Sequence, residues 1–274
     1  MVINDLLAYK FFFTAVIVVA LSFVAEKISP RWAGILSGFP TGSAITLYFY
    51  GLENGLKFAG NSAIYNMVGL VAMQMFIFCY YLGGRVVKKH SLAMAICCGG
   101  MGYGVSAELL SKISVTPLIA VIMPLFSFVL FKRLLQGIGN SRVKNPIRTN
   151  GVVIATRAGI AALTIMLITE IAGIVGPEWA GLFSAFPTTL FPLLLIIHYT
   201  YGPEYAYAII KHVPDGLGGL LVYSLSIYLL YPKVNLVAGI GLAFCSALFY
   251  LLLYQLVTNW LAGIKMGKKK NAEI

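Results

Sequence analysis

Apolar runs of roughly 18 to 25 residues recur from one end of the chain to the other, each long enough to cross a ~30 Å hydrocarbon layer as a helix rising 1.5 Å per residue. In lipid every backbone N–H and C=O must find its partner inside the segment, so runs of this length fold as helices. Only 11% of the 274 residues are charged and 59% are hydrophobic, with a mean hydropathy of +0.88. Soluble domains carry charge on about a quarter of their residues. No polar stretch is long enough to bury a core of its own, which excludes a separate aqueous domain. The sequence therefore predicts an all-α, polytopic bundle whose first partner is the lipid bilayer.

Breaks between the runs place nine spans at approximately 7–25, 32–51, 62–82, 91–109, 115–131, 152–175, 179–199, 213–231 and 235–258. With nine spans the loops alternate sides. Fifteen Lys and Arg residues, among them Lys27, Arg31, Arg85, Lys132, Arg133, Arg148, Lys211 and the Lys268–Lys270 run, then fall on one face, and three, Lys57, Lys112 and Lys233, on the other. By the positive-inside rule the crowded face is cytoplasmic, with the N-terminus outside and the C-terminus inside. The net charge of +11 is explained by these loops, so nucleic acid is not an expected partner.

The chain also repeats itself. "SPRWAGILSGFPT" at 29–41 returns as "GPEWAGLFSAFPT" at 176–188, identical at eight of thirteen positions. At the same offset of 147, Lys10 falls on Arg157, Trp32 on Trp179 and Pro40 on Pro187. Four spans belong to each copy, at about 1–110 and 151–260; residues 111–150 supply a connecting span and a basic loop, and 261–274 form a basic tail. An odd number of crossings precedes the second copy, so the expected arrangement is two inverted four-helix repeats. The sign change from Arg31 to Glu178 beside the two tryptophans follows, because each sits at the interface of a different leaflet.

Proline removes a helix hydrogen bond and clashes with the preceding turn, and neighbouring hydroxyls repair such breaks within a membrane. Phe39, Pro40 and Thr41 with Phe186, Pro187 and Thr188 thus read either as paired kinks or as two interrupted helices meeting halfway through the bilayer, where inverted-repeat carriers hold substrate. Lys10 and Arg157 are either snorkelling cations or a symmetric pair touching an anionic group at each gate. Glu170, in the sixth span, is a candidate for ion coupling or a hydrated carboxylate near the interface. Asp215 reads as the polar entrance of a kinked helix, His198 as an interface residue, and the glycines of "CCGGMGYG" as close-packing positions. Cys79, Cys97, Cys98 and Cys245 have no metal or redox spacing and read as small apolar residues. No catalytic set, cofactor motif or metal cluster is visible, so no enzyme activity and no cofactor are expected.

The stretch "PRWAGILSGFPTGSAITLYFYGLENG" resembles the GlpM family of small four-helix bacterial inner-membrane proteins, which share an early cation, an Ala-Gly then Phe-Pro-Thr element and a Glu-x-Gly turn, here Glu53 to Gly55. The likeness covers roughly residues 5–110 and, more weakly, 152–258, where the turn becomes "GPEYA". It implies a location in the inner membrane and a tandem fusion of two such units, a logic similar to that of drug/metabolite transporters. The expected function is a secondary transporter of a small polar or amphipathic metabolite; the alternative is a non-transporting scaffold or accessory subunit of an envelope or export complex.

Overall fold

The computed structural model describes residues 39–87, 89–139 and 151–272, with short pieces at 8, 11–12 and 15–16. Helices dominate: α1 (Thr41–Asn54), α2 (Leu56–Val86), α3 (Ser91–Ser111), α4 (Pro117–Leu135), α5 (Gly151–Ser184), α6 (Leu190–Tyr201), α7 (Pro203–Ile210), α8 (Val213–Leu230) and α9 (Leu236–Ala272). Six of them, α2, α3, α4, α5, α8 and α9, are long and apolar enough to cross a membrane. Large apolar side chains face outward along them, including Phe126 at 70% exposure and Ile174 at 86%. In water such a surface would be prohibitive; facing hydrocarbon it costs nothing, and the chain is an integral membrane protein.

The helix ends follow from local chemistry. Gly55 (φ 89°) stops α1 and Gly202 (φ 103°) stops α6, in a region of backbone space open to glycine and strained for other residues. A third such glycine, Gly176 (φ 81°), breaks α5 so that a short segment beginning at Pro177 follows the long one. Thr116 caps α4 by accepting from the Ile119 N–H. Pro124 sits inside α4, and the Ser127 hydroxyl donates to its carbonyl at 2.8 Å.

α2 is the centre of the bundle. Its 31 residues span about 46 Å, more than one crossing needs. Against it pack the end of α5, through Gly69, Gly181 and Ala185, and α3, through Gly83, Gly99 and Gly102. Small residues let membrane backbones approach closely, which is where the packing energy comes from when lipid is as apolar as the partner helix. The glycines of "CCGGMGYG" are thus divided: Gly99 and Gly102 lie against Phe76 and Cys79, while Gly100 and Gly104 face open space.

Several expected boundaries shift. The span drawn at 32–51 is helical in its described part only from Thr41. The one drawn at 179–199 is not continuous, because residues 185–189 leave the helix before α6 begins at Leu190. α7 was not expected as a separate element; Gly202 and Pro203 create it by ending one helix and starting the next. α9 runs on past the expected end of the last span at 258 and into the basic tail, to Ala272, as the Lys, Ala and Met residues there favour. The span at 7–25 lies largely outside the described residues.

Candidate functional site

Each Phe-Pro-Thr element folds the same way. The Pro ring drives the preceding Phe out of helical conformation. The Thr41 N–H then turns back to the Phe39 carbonyl at 2.7 Å, and the Thr188 N–H to the Phe186 carbonyl at 2.7 Å. Ala44 N–H donates to Pro40 O at 2.8 Å, and Phe191 N–H to Pro187 O at 2.8 Å, opening α1 and α6. These four bonds correspond pairwise at the offset of 147, as do the terminating glycines Gly55 and Gly202.

The two elements are brought together. Phe39, Gly42, Ser43, Phe186, Pro187, Thr188 and Thr189 line one small cavity, closed by Met73 of α2 and Leu220 of α8. Its volume is about 10 Å³, the size of a single water. Gly42 lies so close to Thr188 that a methyl group placed there would sit 2.0 Å from the Thr188 hydroxyl. Met73 is about 25 Å along α2 from one end and about 20 Å from the other, which puts the cavity near mid-depth. Pro40 and Thr41 flank it.

α1 and α6 both begin at this cavity and run away from it in opposite directions. Asn54, at the end of α1, reaches Gly173, on the side where α2 starts. His198, near the end of α6, meets Tyr80 and Ser91, on the side where α2 finishes. That second side also carries Arg85, whose guanidinium donates to the Tyr81 hydroxyl at 2.7 Å, and the Lys132–Asp215 ion pair. The positive ends of two helix dipoles therefore face one another across the cavity.

A polar cluster absent from the sequence reading lies beside it. Asn66 donates to the Ser43 hydroxyl at 3.0 Å and to the Ser184 hydroxyl at 2.7 Å, and accepts from the Ser224 hydroxyl at 2.6 Å. Ser43 in turn donates to the Ser184 carbonyl at 2.8 Å, and Ser184 to the Gly181 carbonyl at 2.7 Å. All four residues are buried, so the network joins α1, α2, α5 and α8 with its donors spent and its amide orientation set. An Asn and three Ser inside apolar spans were the only sequence signal, one shared by many packing residues.

The remaining candidates lie elsewhere. Glu170 is exposed on α5 and does not line the cavity. Lys10 lies outside the described residues, and of Arg157 only the helical backbone is described. His198, near the end of α6, is buried within the bundle. Ser91 gives its one hydroxyl proton to the Gly84 carbonyl at 2.7 Å, so toward His198 it is an acceptor; Nε2 carries the ring proton and Nδ1 accepts from Tyr80 at 2.9 Å. Asp215 binds Lys132 at 2.5 Å and Tyr254 at 3.1 Å, tying α8 to α4 and α9. Cys79, Cys97, Cys98 and Cys245 are free thiols. Among the described residues no group of His, Cys, Asp and Glu is arranged to hold a metal ion.

In comparisons with known proteins, no family model, curated protein or solved structure matches this chain.

Proposed function

We propose that the protein is a secondary transporter that moves a small polar solute by alternating access, with its binding site at the cavity between the two Phe-Pro-Thr elements. One observation carries this reading: two proline-broken helices with matching turn geometry start from a common mid-depth cavity and run to opposite sides of the bundle. That is the arrangement expected of two inverted repeats rocking about a fixed site. The water-sized cavity then belongs to an occluded state. The Lys132–Asp215–Tyr254 contacts and the Tyr80–His198–Ser91 contacts close the side crowded with cations. On this reading the chain lies in the inner membrane with the cation-rich side in the cytoplasm, as the charge asymmetry and the GlpM-like motif both suggest.

The experiment is cysteine accessibility in a background in which the four native cysteines are replaced. Thr41→Cys and Thr188→Cys are labelled with a membrane-impermeant maleimide from each side of oriented vesicles. Alternation requires each position to react from both sides, at rates that change when transported solute is added. Reaction confined to one side under all conditions refutes it.

A further inference from the structure

The cavity has a chemical sign that the transport reading leaves open. Four carbonyls of the two turns are occupied: Phe39, Pro40, Phe186 and Pro187 each accept from a backbone N–H of the turn that follows. The cavity's donors are not. Among the described residues, the N–H groups of Gly42 and Ser43, in the first turn of α1, and of Thr189 and Leu190, at the start of α6, are matched to no carbonyl, as the geometry of a helix start requires. Thr188, only 2% exposed, has a hydroxyl with no hydrogen-bond partner among the described residues, and it points to the same place, against Gly42. Ser43 is committed to the Ser184 carbonyl, whereas Thr188 offers the cavity a buried, unspent side-chain donor.

Two positive helix ends, surplus N–H groups and an unpartnered hydroxyl form an environment that repels a cation and favours a negatively charged acceptor. No carboxylate of the described residues lines it to balance that charge. Each half-charge at a helix start is stabilised by an anion, and two starts opposed across one cavity are stabilised together by a single negative charge. The water-sized volume limits the ligand to a compact one. The excess of Lys and Arg over acidic residues, 20 against 9, raises the local concentration of anions at the surface from which such a ligand would arrive.

We infer that the mid-depth cavity is a binding site for a compact monovalent anion, of the halide or one-carbon carboxylate class, held between the N-termini of α1 and α6 with Thr188 donating to it. This rests on the transport reading for its biological use but not for its binding chemistry.

The test uses the full-length protein in detergent and in proteoliposomes. Thermal unfolding is followed in sodium fluoride, chloride, formate and gluconate at equal ionic strength, and in glycerol. Saturable stabilisation by one or more of the three small anions, over gluconate and glycerol, is the expected result. Thr188→Val weakens the apparent affinity by about tenfold, the scale of a hydrogen bond to a charged group, while Thr188→Ser retains it. Equal stabilisation by gluconate, or no effect of any small anion on the wild-type protein, overturns the inference even if the Val variant fails to fold. So does an unchanged affinity in Thr188→Val. Valinomycin-driven anion efflux from the proteoliposomes separates the two readings: binding without efflux keeps the site and removes transport, whereas flux of glycerol without any anion effect keeps transport and removes the anion.

Discussion

Gly181 belongs to the Trp-Ala-Gly motif that the chain repeats, and the structure supplies a reason for a residue without a side chain there. A Cβ at Gly181 would lie 2.2 Å from the Ser62 carbonyl oxygen, 2.6 Å from the Tyr65 Cβ and 3.0 Å from the Asn66 nitrogen. Two of these are backbone atoms of α2, which cannot rotate aside. Relief in Gly181→Ala requires the end of α5 to withdraw by roughly 1 Å to recover normal contact. Overpacking of this kind costs about 1–3 kcal/mol. The same movement stretches the Asn66–Ser184 hydrogen bond, now 2.7 Å, toward breaking, which adds about 1 kcal/mol. The better helix propensity of Ala returns at most about 1 kcal/mol. The net loss is about 1–3 kcal/mol, or roughly 3–10 °C in Tm for a chain of this size. Thermal unfolding of the purified protein in detergent, read by tryptophan fluorescence, measures it. Gly104→Ala is the control, since a Cβ there meets nothing within 4 Å. A Gly181→Ala protein melting within about 1 °C of wild type would refute the packing argument. So would a control that loses as much.

Other substitutions separate the remaining interactions. Gly55→Ala and Gly202→Ala each force a side chain into the positive-φ region, and each is expected to cost about 1–3 kcal/mol; a melting temperature unchanged in both removes the strained-turn account of where α1 and α6 stop. Asn66→Leu strands the Ser224 hydroxyl and strips two acceptors of their donor, with an expected loss of about 2–3 kcal/mol in denaturant unfolding, whereas an Asn66→Leu protein as stable as wild type shows the network to be dispensable. Tyr80→Phe leaves the buried His198 Nδ1 without its donor and costs about 1–2 kcal/mol, an effect that disappears in a His198→Leu background if the bond is its cause. The Lys132–Asp215 pair is 59% and 16% exposed at its two side chains, so a double-mutant cycle with Lys132→Met and Asp215→Asn should give a coupling no greater than about 1 kcal/mol; a value of several kcal/mol contradicts this.

What was legible in the sequence was whatever depends on near neighbours along the chain. Runs of apolar residues specify helices in a membrane because the solvent there leaves backbone groups no other partner. Pro40, Pro187, Gly55 and Gly202 act sterically within a turn of themselves, so the breaks at the Phe-Pro-Thr elements and the stops beyond them were encoded locally. The offset of 147 anticipated that two distant segments fold alike. Tertiary structure decided what those segments meet. Ser43, Asn66, Ser184 and Ser224 form one network across separations of up to 158 residues, and none of them differs in sequence from a small polar residue spent on packing. Thr188 keeps its proton and its repeat-mate Thr41 does not face it, while Glu170, the costliest-looking residue of its span, points outward on α5. A helix pattern fixes which face is apolar, but the rotation that aims one hydroxyl into a 10 Å³ cavity is set by how α1, α2, α5, α6 and α8 pack, and that energy is shared among contacts no single segment contains.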